Sequence, residues 1–229
     1  MRILLAITAL AIAGPAGAAT RNFGIDSFDK VRVDGPYAVT LTTGVAPFAR
    51  ASGTPAALDA VNVTVEGHTL VVRANRSSWG GYPGATAGPV QIEIGTHELG
   101  AAFLNGAGGL KINRVKGLLF QLSVQGSGSA TIARADVDQL NVGIAGTASA
   151  TLAGKVGKMT AVVRGISALD TAGLVVKDAT IGAEGAATVK ANVTNAVKID
   201  GSGPATITLT GRPSCTVSIK GSTSVSGCR

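Results

Sequence analysis

From residue 102 onward a glycine-centred unit returns about every twenty residues, and no other feature limits so strongly what this chain can fold into. The units read Asn105-Gly106-Ala107-Gly108, Gln125-Gly126-Ser127-Gly128, Ala145-Gly146-Thr147-Ala148, Arg164-Gly165-Ile166-Ser167, Glu184-Gly185-Ala186-Ala187, Asp200-Gly201-Ser202-Gly203 and Lys220-Gly221-Ser222-Thr223. Counted from the first glycine of each, the steps are 20, 20, 19, 20, 16 and 20 residues. A fixed period of that size means a solenoid in which one repeat is one coil.

The residues around each glycine say what kind of coil it is. Two positions before it stand Leu104, Val124, Ile144, Val163, Ala183, Ile199 and Ile219; four before stand Ala102, Leu122, Val142, Ala161, Ile181, Val197 and Val217. The position between them is mostly polar or small, which is the period of a strand with one buried face. Apolar residues resume four after the glycine, at Leu110, Ala130, Ala150, Leu169, Val189, Ala205 and Val225. Each coil therefore has a strand, a sharp glycine corner and a second strand, with a return connection such as Arg134–Asp138. Glycine at this density opposes helix, and Val, Ile and Thr favour strands. Strands that recur in one sense with short corners stack in parallel, and the crossover preference makes the coil right-handed. The fold expected is an all-β, right-handed parallel β-helix.

The first 19 residues read as an export signal: Arg2, the short apolar run Ile3–Ala13, and the small-residue cleavage site Ala16-Gly17-Ala18. That run is too short to span a bilayer. Residues 20–98 read as a less regular β segment that covers the open first coil, and 99–229 as the solenoid, the two forming one domain. Asp34-Gly35-Pro36 looks like an earlier corner, and Glu66-Gly67-His68-Thr69 a hairpin turn. In an exported chain Cys215 and Cys228 pair by default, closing a loop of about 14 residues and stabilising by roughly 3 kcal/mol.

Together these residues resemble the exported bacterial family of the auto-transporter adhesin, head GIN domain, a domain of unknown function. The resemblance rests on the export signal, on Phe28-Asp29-Lys30-Val31-Arg32-Val33-Asp34-Gly35, on Val39-Thr40-Leu41-Thr42-Thr43-Gly44, and on Gly-Ser-Gly-Ser-Ala-Thr-Ile at 126–132 and Gly-Ser-Gly-Pro-Ala-Thr-Ile at 201–207. It implies a β-helix and a cell-envelope location, periplasmic or on the surface, and it supplies no catalytic residues.

Several groups were weighed for chemistry. Glu184 and Asp200 hold the same repeat position, so parallel stacking would bring them about 5 Å apart, near the carboxylate spacing of a retaining glycosidase. The alternative is a charge ladder, Arg164 with Glu184 and Lys220 with Asp200. Asp136 and Asp138 point the same way and could bind calcium as in β-helix lyases, but no third acid joins them. His68 and His97 each lack a second histidine. Trp79 and Tyr82, in a Gly-rich loop, could stack on a sugar. Thr206, Thr208 and Thr210 form a threonine row of the kind ice-binding solenoids carry, though no other coil repeats the array. Net charge is +7, and Lys111, Arg114, Lys116 and Arg134 make the most basic stretch, read as a solvated face that keeps an exported protein soluble, with a surface for anionic polymers as the alternative. Nucleic acid is disfavoured, because Phe103 and Phe120 fit the core better than a stacking platform. No catalytic, metal or cofactor site is assigned. The reading is a non-catalytic, adhesin-like or structural envelope protein that binds glycan or protein through its repetitive surface. A carbohydrate-active β-helix enzyme is the alternative.

Overall fold

The computed structural model describes residues 19–75 and 88–229; the export segment 1–18 and the Trp79–Tyr82 loop lie outside the described residues. The elements are β1 (Ala19–Phe23), β2 (Lys30–Asp34), β3 (Ala38–Thr43), β4 (Phe48–Gly53), the short helix α1 (Pro55–Asp59), β5 (Val61–Glu66), β6 (Thr69–Ala74) and β7 (Gln91–Thr96). They continue with β8 (Ala101–Gly106), β9 (Gly109–Ile112), β10 (Val115–Gly126), β11 (Ser129–Gly146), β12 (Ser149–Gly165) and β13 (Ala168–Glu184). Last come β14 (Thr188–Ser202), β15 (Thr206–Thr210), β16 (Ser214–Lys220) and β17 (Ser224–Ser226). They form a β-solenoid of about six turns with coils of about 20 residues.

Parallel pairing in register runs through the repeats. Leu104 pairs with Val124, Val124 with Ile144, Ile144 with Val163, and Val163 with Ala183. All five side chains are buried, in one aliphatic core that extends from Phe28 to Leu209. At the corners the ladder continues without a break: the Ser127, Thr147 and Ile166 N–H groups donate to the carbonyls of Gly106, Gly126 and Gly146 one turn below. Gly126 shows why the corner is glycine. Its φ is +103°, and an added Cβ would lie 2.8 Å from the Gly106 carbonyl oxygen.

Three expectations are corrected here. The sixth corner is Gly203, not Gly201: Ala183 pairs with Gly201 and Glu184 with Ser202, so Gly203 stacks on Gly185. Both steps around it are then 18 residues, and Ile199 stacks on Ile181 while Ile207 stacks on Val189. The shortening is taken up away from the corner, where the pairing passes from Thr171–Ala191 directly to Val175–Asn192. Second, the return connection is itself strand. Val115 pairs with Ala135, and Val137 with Val156 and then Val176, so each regular coil has three straight runs and three corners. Third, Val217 and Ile219 belong to inward columns yet are 42% and 44% exposed, because no described turn lies beyond them.

At the other end the chain order and the stacking order differ. β2 lies between β6 and β8, and β3 between β7 and β9, all in parallel. The turn containing Gly35 thus lies inside the stack, above a turn that the chain makes later. Antiparallel strands occupy the outer edges of that later turn: β5 on β6, β4 on β7, and β1 on β4. They satisfy backbone groups that would otherwise template aggregation. Thr54 caps α1, which buries Ala57 and Leu58 against this end. At the far end the disulfide Cys215–Cys228 joins the start of β16 to the chain just after β17 and closes the last turn into a ring.

Val142 is 3% exposed, and Val142→Asp would bury an unpaired charge at a cost of about 3 kcal/mol or more. The expected outcome is loss of the cooperative melt or aggregation; a melt at the parental temperature would contradict its place in the core. Changing Cys215 and Cys228 together to Ser should lower the melting temperature by an amount equivalent to roughly 3 kcal/mol, with the β circular dichroism spectrum retained.

Candidate binding face

Strands whose inward residues are aliphatic carry a second set of side chains outward, and on one face of the solenoid these form a trough. Its floor is the row Arg32, Phe103, Ser123, Gly143, Val162, Gly182, Asp200 and Ser218, each in register with the next. One wall carries Gln121, Asn141, Thr160 and Thr180, and the other Asn105, Gln125, Ala145, Arg164 and Glu184, dropping low at Ala145. The floor is low at Ser123, Gly143, Gly182 and Ser218 and rises at Phe103, Val162 and Asp200. Phe103 to Ser218 spans six turn-to-turn steps, about 30 Å at ~4.8 Å per step.

Clefts open at both ends. Near the N-terminal end one of about 430 Å³ is lined by Arg32, Glu66, Thr69, Val71, Phe103, Asn105 and Gln125, with the β5–β6 hairpin as its side. At the other, Gly182, Glu184, Asp200, Ser202, Ser218 and Lys220 line one of about 250 Å³. Phe103 lies half-buried on this outer face while Phe120 is in the core, which corrects the expectation that both are core residues. The signal was present in the alternation, since Ala102 and Leu104 take the two inward positions.

Charges within the trough are paired except for Lys220 at the C-terminal cleft, which has no acidic partner among the described residues. Arg32 bonds Asp34 at 2.9 Å, Arg164 bonds Glu184 at 3.0 Å, and Lys198 lies 3.7 Å from Asp200. The hydrogen bond and charge of Asp34 hold the Arg32 guanidinium above its ordinary pKa. Asn105 donates to the same carboxylate at 2.7 Å. Gln121, Gln125 and Asn141 make no side-chain hydrogen bond to another described residue and are available to a ligand.

The structure separates most of the groups singled out from sequence. Glu184 pairs with Ser202 and Asp200 with Gly182, so the two carboxylates share a cleft but not a column. The Arg164–Glu184 pair forms; Asp200 meets Lys198 of its own strand rather than Lys220. The two-residue displacement of the sixth corner causes both differences. Asp136 accepts from Arg134 at 2.8 Å and Arg114 at 3.0 Å, in that order the causes of its lowered pKa, while Asp138 is exposed at the next corner. Among the described residues, no three His, Cys, Asp or Glu side chains form a metal-binding group. His97 lines a cleft with Glu98, Arg114 and Lys116, and His68 sits in the β5–β6 turn.

The basic stretch divides between faces. Lys111 lies between Thr40 and Thr131, whereas Arg114 sits at the corner before the third run and Lys116 on that run, where Lys116 and Lys155 flank Asp136. Shorter hydroxyl pairs stack on other turns, Ser129 and Thr131 on Ser149 and Thr151, and Thr206 and Thr208 on Ser224 and Ser226, but the three-threonine array is not repeated. Ala168, Asp170 and Lys190 interrupt them.

Asp136 supplies a pH prediction. Its folded pKa is depressed, so the stability it contributes is complete above the ordinary aspartate value of about 3.9 and is lost as pH falls through the lower folded value. An NMR titration of its carboxyl should give a midpoint below the ordinary range, moving up in Arg134→Ala. A midpoint already in the ordinary range would contradict the paired geometry.

Comparison with known proteins agrees with the architecture. The family model described as "Putative auto-transporter adhesin, head GIN domain" matches residues 27–213. A solved putative adhesin from Bacteroides fragilis NCTC 9343 is similar in fold, with TM-score 0.80, 16% identity, and coverage of 92% of this chain and 97% of that one. A putative lipid binding protein from Parabacteroides distasonis ATCC 8503 gives TM-score 0.71 at 18% identity, covering 93% and 97%. A putative adhesin from Parabacteroides merdae ATCC 43184 gives 0.67 at 16%, covering 93% and 96%. No curated protein matches the sequence. With its repeats, its N-terminal turns and most of its length inside the matched region, this chain belongs to the family of the putative auto-transporter adhesin, head GIN domain.

Proposed function

We propose that this protein is a non-catalytic, exported envelope or surface protein, adhesin-like, that binds glycan or protein through the outer faces of its solenoid. The observation that carries this reading is the outward repetition itself. The same strand positions present polar side chains turn after turn, and Glu184, Asp200 and Asp136 are tied to cations instead of converging. Glu184 is held by Arg164, and Asp136 by Arg114 and Arg134. Such a surface gains affinity by summing many modest contacts along a rigid frame.

A lipid ligand, which one structural relative is described as binding, would need apolar space inside or between faces. The inward columns of this chain fill its interior with aliphatic side chains. Export supports the same reading from the N-terminus, through Arg2, the apolar run and the Ala16-Gly17-Ala18 site.

Two measurements test the proposal. Fractionation of cells expressing the full chain should recover it outside the cytoplasm, with a mature N-terminus after Ala18 or Ala19; retention in the cytoplasm with Met1 intact would contradict export. Incubation of the purified protein with neutral and acidic polysaccharides should leave them uncut. Release of oligosaccharide, abolished by Glu184→Gln or Asp200→Asn, would establish the enzyme reading instead.

A further inference from the structure

We infer that the trough running from Phe103 to Ser218 binds a neutral, linear polysaccharide laid along the solenoid axis, an inference that rests on the proposed binding role. Four observations converge on that ligand. Phe103 offers an apolar ring at the N-terminal end of the floor, half-buried and flanked by Arg32 and Asn105, the combination that receives the C–H face of a sugar ring and its hydroxyls together. Beyond it, Gln121, Gln125 and Asn141 place unengaged amides on both walls, each offering a donor and an acceptor to paired hydroxyls.

The third observation is electrostatic. Arg32, Arg164 and Lys198 each have an acidic partner, and among the described residues Lys220 at the C-terminal cleft is the trough cation without one, so along most of its length the trough offers little unbalanced field to a polyanion. The cationic excess lies on a different run, where Lys116, Arg114, Arg134 and Lys155 surround the single carboxylate of Asp136. A charged polymer would be drawn there, not to the trough.

The fourth is shape. Clefts lie at both ends, and the floor between them is lowered by Ser123, Gly143 and Gly182 with Val162 as its one raised point, so a long chain can lie along it where a small molecule would be unenclosed. Turns repeat at ~4.8 Å, close to the advance of one pyranose along an extended chain. Successive sugars would therefore meet equivalent wall positions. A protein partner fits less well, because the centre of a protein interface is apolar and aromatic, whereas Phe103 and Val162 are the large apolar residues of this floor.

The test is affinity electrophoresis and calorimetry on the full mature chain with soluble β-1,4-, β-1,3- and α-1,6-linked glucans and a galactomannan, alongside polygalacturonate and heparin. The expected result is binding of at least one neutral polymer, little changed by added salt and strengthening with oligosaccharide length up to about six sugars, one per turn step. Phe103→Ala should weaken it at least tenfold. Gly143→Leu should abolish it by filling the floor, and an added Cβ at that glycine meets nothing within 4 Å, so the turn can accept the change. Arg114→Ala with Lys116→Ala should leave it unaltered. Neutral-glycan binding that survives both Phe103→Ala and Gly143→Leu would overturn the trough while leaving the adhesin-like reading in place. Binding confined to polyanions and lost with Arg114→Ala and Lys116→Ala would do the same. Failure of every polymer to bind would remove the inference and the glycan part of the broader reading together.

Discussion

Each turn of this protein is held to the next by a ladder of parallel backbone hydrogen bonds, and every other feature depends on the register of that ladder. Because pairing is in register, an inward residue on one turn lies over an inward residue on the next, and Val124, Ile144 and Val163 become one column of core. The corners are part of the same ladder. Glycine is needed there because the backbone of one turn presses directly on the carbonyl of the turn below, in a conformation that L side chains rarely adopt. Aromatic residues make up only 3% of the chain, which fits a core too narrow for large rings.

A stack of parallel strands has two open ends, and the protein treats them differently. At the N-terminal end three antiparallel strands and a capped helical turn cover the first turn, so its backbone groups are satisfied and its aliphatic residues join the main core. Among the described residues, no such cover lies over the C-terminal turn. There the covalent ring through Cys215 and Cys228 holds together a turn whose Val217 and Ile219 bury only one side. The order of turns also has a folding consequence. β2 and β3 must wait for β6 and β7 below and β8 and β9 above, so the N-terminal turns are the non-local part of the structure.

Most of the solenoid was legible because its signals repeat. Seven corners with apolar residues at fixed offsets outvote any one irregular coil, and the hairpin at 66–69 is marked by its own Gly67. The sixth corner was misplaced because Gly201-Ser202-Gly203 offers two glycines, and a motif cannot say which one has positive φ; Gly203 does, at +82°, and Gly201 remains in strand. The third run was missed because its inward positions are few, Ala135 and Val137 in one coil, too short for alternation to stand out. Phe103 was drawn toward the core by its type, although its position between Ala102 and Leu104 already pointed outward. The trough could not be read at all without the register, since its floor joins residues from separate coils and shifts by two at Asp200.

Which acids meet, which cations are neutralised and which amides stand free are consequences of the stacking register. Paired cysteines test it directly. Thr131 and Thr151 are exposed register partners on adjacent turns, while Asp170 lies one turn further on. Thr131→Cys with Thr151→Cys should oxidise to an intramolecular bond in the folded protein, being one strand spacing apart. Thr131→Cys with Asp170→Cys, about 10 Å apart, should remain reduced. Efficient closure of the second pair, or of neither, would contradict a parallel stack in this register.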